Sequence, residues 1–392
     1  PLWSRGLGDV YKRQIFIIMK KIGFYSLLLS CVFLFSCQED EGLVAVSQNS
    51  NDSALESIVI LKSGVEVEKR GENYFFGGDM ILSPEQLRSL DETGAIAGDV
   101  TGDLERDLSL NPVTNLPINV DNLLQTRNLG IYPTSYNLWA MVRFVYDGNL
   151  TSTQKGYIKQ ALLELQSKTN LRFYNATGEP TKDPVYGFDY PYVNFKSIGD
   201  SDVSTSYVGR IGGKQDISLA DFAFRDASYG DYGVIIHEIC HAVGMLHEQS
   251  RPDRDDYVNI DWNNLTSSGK KQFDKQTTNY HYRGNYDYNS VMGYGSKTTS
   301  LSIVIDKSKP MYTKKDGSLI YQGSTVSNLD RMWINYLYLP YVARSDVYRE
   351  LDAIVYDGDN RILTEQERLQ LQAQLNNGNP NPPAGGRIPN EF

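Results

Sequence analysis

Three of the four histidines in this 392-residue chain fall within eleven consecutive positions, HEICHAVGMLH, residues 237–247. An α-helix turns about 100° per residue, so positions four apart lie about 40° apart on one face and roughly 6 Å apart along the axis. His237 and His241 therefore point the same way if this segment is helical, and the apolar run YGVIIHEIC suits a buried helix. His247 does not fit that helix: a continued helix would carry it about 9 Å beyond His241 and off the shared face. Gly244 offers the remedy, because glycine tolerates positive φ and can end a helix at C′, letting the chain turn back. His247 can then approach the other two. Three neutral imidazoles converging on a point, with a fourth position open, form a catalytic zinc arrangement. Glu238 leans to the flank of that metal, where it can take a proton from a zinc-held water and pass it to a leaving amine. A bare H-E-x-x-H can be a helix that happens to carry two histidines. The added G-x-x-H in so histidine-poor a chain argues for one catalytic zinc ion.

Composition fits a folded chain long enough for two domains, with 40% apolar residues and 27 tyrosines. The net charge of −10 shows no basic stripe, so nucleic acid is not an expected partner. Residues 1–14, PLWSRGLGDVYKRQ, contribute to no pattern and resemble a translated cloning artefact; residues 1–18 are set aside as a non-native leader. Residues 19–37 read as a secretory signal: two lysines, an apolar run, then Leu34-Phe35-Ser36-Cys37. A small residue before a cysteine resembles a bacterial lipobox, with Cys37 carrying lipid and the QEDE that follows resembling an export tract. An ordinary signal peptide cut near Ser36 and a retained anchor are the alternatives. The apolar run, about 15 positions, is short of the roughly 20 that span a membrane. The lipoprotein reading makes the chain exported, at the outer membrane or cell surface, touching membrane only through a lipid anchor and open to release after processing. Only Cys240 then remains in the exported part, so no internal disulfide is expected. Cys240 points off the histidine face and reads as a small buried hydrophobe.

Residues 38–56 are polar and read as a tether. SIVILKSGVEVEKR reads as a hairpin around Ser63-Gly64, and YFFGGDMILSPEQLRSL as a strand, a glycine turn and a short helix. There Ser83 is a natural N-cap, Pro84 fits N1 and Gln86 completes a capping box. Residues 96–122 look extended or irregular. WAMVRFVYD alternates like a strand; residues 152–168 form an amphipathic helix through Ile158, Ala161, Leu162 and Leu165. LRFYN, YVNFKS, TSYVGR and DISLAD read as further strands, which together with the zinc helix predicts an α+β domain. After residue 340 the chain turns polar. Thr364 and Glu367 cap a helix over 365–376, YDGDNR reads as a surface turn rather than a calcium loop, and NNGNPNPPAGG as a disordered end.

HEICHAVGMLHEQSRPDRDDYV, 237–258, resembles the zinc signature of the astacin family of metzincin endopeptidases, and YDYNSVMGY, 286–294, resembles that family's Met-turn. The resemblance covers roughly residues 127–340. It implies a metzincin-type zincin catalytic domain, a mixed sheet plus active-site helix, preceded by a small prosegment. It implies His237, His241 and His247 as zinc ligands, Glu238 as general base and acid, and Met292 as the apolar floor. Tyr294 would be an extra ligand that swings away to hold the oxyanion. Ser206, Tyr207 and Val208, in an edge strand SYVGR over 206–210, would be the cleft's upper rim, where an extended protein or peptide substrate pairs. Phe76-Gly77-Gly78-Asp79 matches the F-x-G-D of the family's prosegments, making Asp79 a zinc ligand in the zymogen only. A glycine turn with a solvated aspartate is the plainer reading of that stretch. Activation would need another protease to cut the linker, with Arg127 a plausible point. The freed amino terminus would bury itself near Glu248, whose simpler role is a pair with Arg251 or a nearby amide. RPDRDD reads as ion pairs rather than a second metal site, and His281 as a surface residue.

Two departures stand out. Gly293 occupies the position after the Met-turn methionine where the family usually has histidine, and the family's usual disulfides are missing. The domain plan is therefore 1–18 leader, 19–37 signal, 38–56 tether, 57–126 inhibitory prosegment and linker, 127–342 catalytic domain and 343–392 polar extension. The expected function is a surface-anchored zinc endopeptidase made as a zymogen. The competing reading is an adhesion or binding lipoprotein on an impaired protease fold.

Overall fold

The computed structural model describes residues 56–96, 127–131, 138–276, 280–283 and 285–392. The leader, the signal, all of the tether but Glu56, and residues 97–122 of the irregular stretch lie outside the described residues. Strands β1 (Glu56–Ile60) and β2 (Glu66–Arg70) form the expected hairpin, with Gly64 at φ 84°. Strands β3 (Asn73–Phe76) and β4 (Met80–Ile81) continue the antiparallel meander through the glycine turn. Helix α1 (Pro84–Thr93) starts where the sequence places it: Ser83 and Gln86 exchange capping hydrogen bonds and Pro84 opens the first turn. Gly94, at φ 75°, ends it.

The larger part of the chain runs through β5 (Arg127–Ile131) and β6 (Val142–Tyr146) into α2 (Ser152–Lys168), which Thr151 and Gln154 cap reciprocally. Three strands follow, β7 (Phe173–Asn175), β8 (Tyr192–Gly199) and β9 (Thr205–Tyr207), then β10 (Lys214–Ala220). A short α3 (Asp221–Ala227) leads into α4 (Gly233–Ala242), the helix that carries the first two histidines. Beyond it lie β11 (Val258–Ile260), α5 (Ser267–Lys271), β12 (Tyr280–Arg283), β13 (Tyr312–Lys314), α6 (Asn328–Leu337) and α7 (Glu365–Leu375). This is a mixed α+β fold, as expected.

Among the described residues nine strands make one sheet in the order β1-β2-β3-β4-β9-β10-β8-β6-β7. The β6, β7, β8 and β10 pairs are parallel, β9 runs antiparallel to β10, and β4 lies parallel to β9. The small amino-terminal segment therefore extends the same sheet as the main domain. Helices α2 and α4 cover one face: Ile158, Leu162 and Leu165 pack with Ile235, Ile239 and Cys240 against Phe144, Phe195 and Leu219 in one continuous core. All four helical positions singled out on α2 are fully buried. Cys240 is buried and, among the described residues, makes no disulfide; its burial agrees with its reading as a core residue.

Two expectations fail. Strand β9 ends at Tyr207, short of the predicted 206–210, because Gly209 turns the chain at φ 68° and donates its amide to the His241 carbonyl at 2.8 Å. The carboxyl-terminal stretch is not a disordered end. Arg344 is buried between Asp346 and Glu350 and donates to the Gly385 carbonyl at 2.6 Å. Asn390 accepts from the Asn175 amide at 3.0 Å on the outer strand β7, and Phe392 packs on Phe144 with ring centroids 5.7 Å apart. Polar composition concealed this docking, since Asn390 and Phe392 meet residues more than two hundred positions earlier in the chain. The YDGDNR turn is seen as a turn, closed by Asp357 and Arg361, with Asn360 at φ 63°. His281 lies in β12 opposite Gly130, and its side chain is outside the described residues.

Candidate metal centre and active site

Helix α4 is buried from Ile235 to Ala242, so its carbonyl end needs partners inside the protein. Trp139 Nε1 donates to the Ala242 carbonyl at 2.8 Å and the Tyr338 hydroxyl donates to the Val243 carbonyl at 2.7 Å. Neither residue was singled out in the sequence; a lone tryptophan or tyrosine carries no signal there. Gly244 then takes φ 107°, the left-handed step its position demanded, and the chain turns back to bring His247 beside its neighbours.

Each of the first two rings is oriented from behind. His237 Nδ1 lies 2.8 Å from the Val291 carbonyl and His241 Nδ1 lies 2.8 Å from the Met245 carbonyl. A carbonyl can only accept, so both Nδ1 atoms carry the proton and both Nε2 atoms present a lone pair. His247 Nε2 stands 3.2 Å from His237 Nε2 and 3.1 Å from His241 Nε2. Zinc–nitrogen bonds of about 2.0–2.1 Å on a tetrahedron set neighbouring ligands roughly 3.3 Å apart, so the spacing suits one shared ion.

The fourth corner is filled by Asp79, from the turn between β3 and β4. Its Oδ2 is 3.2 Å from His247 Nε2 and 3.6 Å from His237 Nε2, and its Oδ1 is 3.6 Å from His241 Nε2. The four donor atoms lie within 4.8 Å of one another, all on buried residues. Burial pushes the Asp79 carboxyl up, but the three imidazoles around it, His247 first, outweigh burial and hold the group well below its usual range. Among the described residues, Asp79 Oδ1 and Glu238 Oε2 have no hydrogen-bond partner although both are buried. A buried carboxylate set against a cluster of imidazole lone pairs calls for a cation, and the donor set of Asp79 and three histidines fits zinc. Gly77 and Gly78, at φ 63° and 98°, make the approach possible. A β-carbon on Gly77 would lie 2.7 Å from the Met80 side chain and 3.3 Å from His247 Nδ1; one on Gly78 would lie 2.8 Å from Gln272.

Glu238 is buried on the same helix, and burial followed by the charge of Asp79 raises its carboxyl well above the usual range. Met292 is fully buried in the apolar core, and its carbonyl accepts the Glu248 amide at 3.2 Å. The turn is built by Asp330 of α6, which accepts from the Ser290 hydroxyl at 2.7 Å and the Val291 amide at 2.9 Å. Val291 in turn holds His237. Asp330 was missed in the sequence; the S-x-x-D pattern at Ser327 marks it as a helix cap, but its second set of bonds is visible only in space.

The Tyr294 hydroxyl lies 3.1 Å from the Gly77 carbonyl oxygen and 3.3 Å from Asp79 Oδ2, and its ring packs at a tilt against that of His247, centroids 4.7 Å apart. Burial, then the charge of Asp79, raises its hydroxyl well above the ordinary range. Glu248 is fully buried, 3.0 Å from Arg251 Nη1, and accepts the Asp287 amide at 2.8 Å. Burial lifts its carboxyl to about 8 against the pull of Arg251. In RPDRDD the arginines pair with Asp253 and Asp255, as expected of structural ion pairs. Gly293 has no positive φ, and a β-carbon there would meet nothing closer than the Ser290 carbonyl at 3.4 Å, so the backbone does not require glycine.

Ser206, Tyr207 and Val208 are not the open rim that was expected. β4 pairs with Ser206 and Tyr207, the Ser206 amide donates to the Asp79 carbonyl at 3.2 Å, and Gln86 Nε2 donates to the Val208 carbonyl at 2.8 Å. The sequence placed the strand and the aspartate separately; nothing in either showed that the same short segment occupies both.

The family model described as Astacin, a peptidase family, matches residues 132–339. The chain belongs to the astacin family. The matched astacin domain contains all three histidines, Glu238, Met292 and Tyr294, and its His237, His241 and His247 form the site for one catalytic zinc. Among curated relatives, zinc metalloproteinase nas-13 of Caenorhabditis elegans is 38% identical over 164 residues, which are 41% of this chain and 32% of that protein. Zinc metalloproteinase nas-15 of the same species is 39% identical over 205 residues, 51% of this chain and 32% of that protein. Nas-4 is 35% identical over 190 residues, 48% of this chain and 54% of that protein. The chain thus spans from a third to about half the length of these relatives. Among solved structures, high choriolytic enzyme 1, a hatching enzyme zinc-protease from medaka (Oryzias latipes), is 25% identical with a TM-score of 0.42, covering 57% of this chain and 97% of that one.

Proposed function

We propose that the chain is a zinc-dependent endopeptidase made in a latent form, which cleaves proteins or extended peptides. The observation that carries this reading is the three imidazole Nε2 atoms set around one point, with Glu238 beside them and the Asp79 carboxylate at the fourth corner. When bound, zinc makes water acidic near neutral pH and polarises a substrate carbonyl. The protein's own residues supply the rest. Glu238, its affinity for protons raised by burial, accepts a proton from the attacking water and returns it to the leaving amine. Once Asp79 and Gly77 depart, the Tyr294 hydroxyl is free to donate to the oxygen on which charge develops. His237 and His241 keep their orientation through the Val291 and Met245 carbonyls. Departure of β4 uncovers the backbone groups of Ser206, Tyr207 and Val208, to which an extended substrate adds as a strand.

Latency follows from the same contacts: the amino-terminal segment fills both the metal's fourth corner and the strand edge. Activation belongs to a second protease cutting in the linker that ends near Arg127, the first residue of β5, which pairs with Arg283. Glu248 is engaged by Arg251 in this form and is the group offered to a new amino terminus. The chain is exported and held at the cell surface or outer membrane by lipid on Cys37, a reading supported by the sequence of residues 19–37. The test is casein hydrolysis by protein cut in the linker and freed of its amino-terminal segment. Activity that a chelator and Glu238→Gln each reduce at least about a thousandfold supports the enzyme. A zinc-loaded, freed protein that leaves casein intact would favour the adhesion reading, with Gly293 the first position to exchange for histidine.

A further inference from the structure

Besides Asp79, the amino-terminal segment offers a second set of contacts to the astacin domain, along α5. Glu66 on β2 forms an ion pair with Lys271, the last residue of α5. Glu68, two residues on and therefore on the same face of β2, is 5% exposed and accepts from the Ser268 hydroxyl at 2.6 Å. Arg70, the third residue of that face, pairs with Glu68 and donates to the Gly78 carbonyl at 2.8 Å, next to Asp79, while its guanidinium covers the Phe75 ring at 4.6 Å. One strand face thus ties α5 to the glycine turn that delivers Asp79. The segment also has its own apolar core, in which Val67, Phe76, Leu82 and Leu90 enclose Val208 and Leu246 of the astacin domain. The seam beside α5 is loosely packed: a cavity of about 320 Å³ opens there, lined among others by Val65, Glu66, Lys271, Asp274 and Lys275. An ion pair whose two side chains are partly exposed, as Glu66 and Lys271 are, is open to screening by salt.

We propose that the Glu66-Glu68-Arg70 face of β2 and the Ser268/Lys271 edge of α5 form a second, charge-paired latch, so that cutting the linker does not by itself free the cleft. The nicked segment stays docked until this latch dissociates. The proposal rests on the reading of residues 56–96 as inhibitory, but it is tested by retention of the segment rather than by hydrolysis. A specific cleavage site is placed between residues 97 and 126 of the full chain, the chain is nicked, and release of the segment is followed by size-exclusion chromatography and by the rate of loss from immobilised protein.

Nicked protein is expected to elute as one species at low salt and to release its segment several-fold faster when ionic strength is raised from roughly 0.05 to 0.5 M. Lys271→Glu sets a carboxylate against Glu66 and Asp274 and should speed release about tenfold. The paired exchange Glu66→Lys with Lys271→Glu should return release to within about twofold of the parent. The freed Lys271→Glu domain should hydrolyse a short peptide at the parent rate, since Lys271 touches none of the metal ligands. Prompt release from the nicked parent at low salt, release indifferent to salt, or a charge exchange that restores nothing would each overturn the latch. Absence of hydrolysis in every sample, with retention behaving as expected, would strike the enzymatic reading and leave the latch standing.

Discussion

Single residues decide whether this site exists. Gly244 holds φ 107°, a backbone state that a β-carbon makes costly by about 1–3 kcal/mol. Gly244→Ala should lower the unfolding free energy by that amount and weaken zinc binding, because His247 lies just beyond the turn; unchanged stability in urea would contradict the strain. Asp330 shows how a group remote from the metal can set its stage. Burial, then the charge of Asp287, raises its carboxyl to about 6, while the Ser327 and Val291 amides and the Ser290 hydroxyl pull the other way. A carboxyl with a higher pKa folded than unfolded binds more protons in the native state between those two values. Its contribution is therefore full below about pH 4 and is lost as pH rises through about 6. Against Asp330→Asn, the parent should lose about 3 kcal/mol across that window, because each tenfold change in proton affinity is worth about 1.4 kcal/mol. Urea unfolding at pH 4, 5, 6 and 7 measures it, and parallel curves for parent and variant would refute it. The three ligands and Glu238 were readable because their spacing is fixed by helix geometry and one glycine. Asp330, Trp139 and Tyr338 were not, since each acts through a backbone carbonyl or amide that the sequence does not mark.

Elements with local signals were placed well. Residues 152–168 form the predicted helix with both ends as expected, because Thr151 and Gln154 cap it and its buried positions repeat at helical spacing. The start of α1 was placed in the same way by its Ser83 box, while its Gly94 end was not singled out. Where a boundary depends on a distant partner, reading fails. β9 stops at Tyr207 because Gly209 bonds to His241, and the carboxyl-terminal stretch orders itself on β7 through Asn390 and Phe392. Proline-rich, polar composition says nothing of such docking. The contribution of α2 to the fold is large: Leu162 is fully buried between that helix and the sheet. Leu162→Ala should destabilise the protein by about 2–5 kcal/mol. A change below about 1 kcal/mol in a denaturant titration would mean that α2 is not part of the cooperative core.

At the scale of the whole molecule, one short segment joins the proposed latency to the fold. Residues 56–96 extend the sheet of the astacin domain, cover β9 and present Asp79 to the three histidines. The sheet runs without interruption from β1 to β7, so the inhibition we propose would be strand addition joined to metal ligation. Asp79→Ala removes the ligand and leaves the strand in place. The uncut variant should gain at most partial activity, well below that of the freed domain, because β4 still occupies the substrate edge. Full activity in the uncut variant would show the strand to be dispensable, and none at all would show that strand addition alone suffices for latency.

The central claim is one zinc ion held by His237, His241 and His247, with Asp79 as its fourth ligand in the uncut chain. X-ray absorption spectroscopy on the zinc-loaded full chain measures this directly, alongside metal content. The account predicts one zinc per chain, three imidazole nitrogens and one carboxylate oxygen at about 2.0–2.2 Å, with the imidazole signal falling by one third in His247→Ala. Substoichiometric, loosely held zinc, or a spectrum unchanged by His247→Ala, would contradict it.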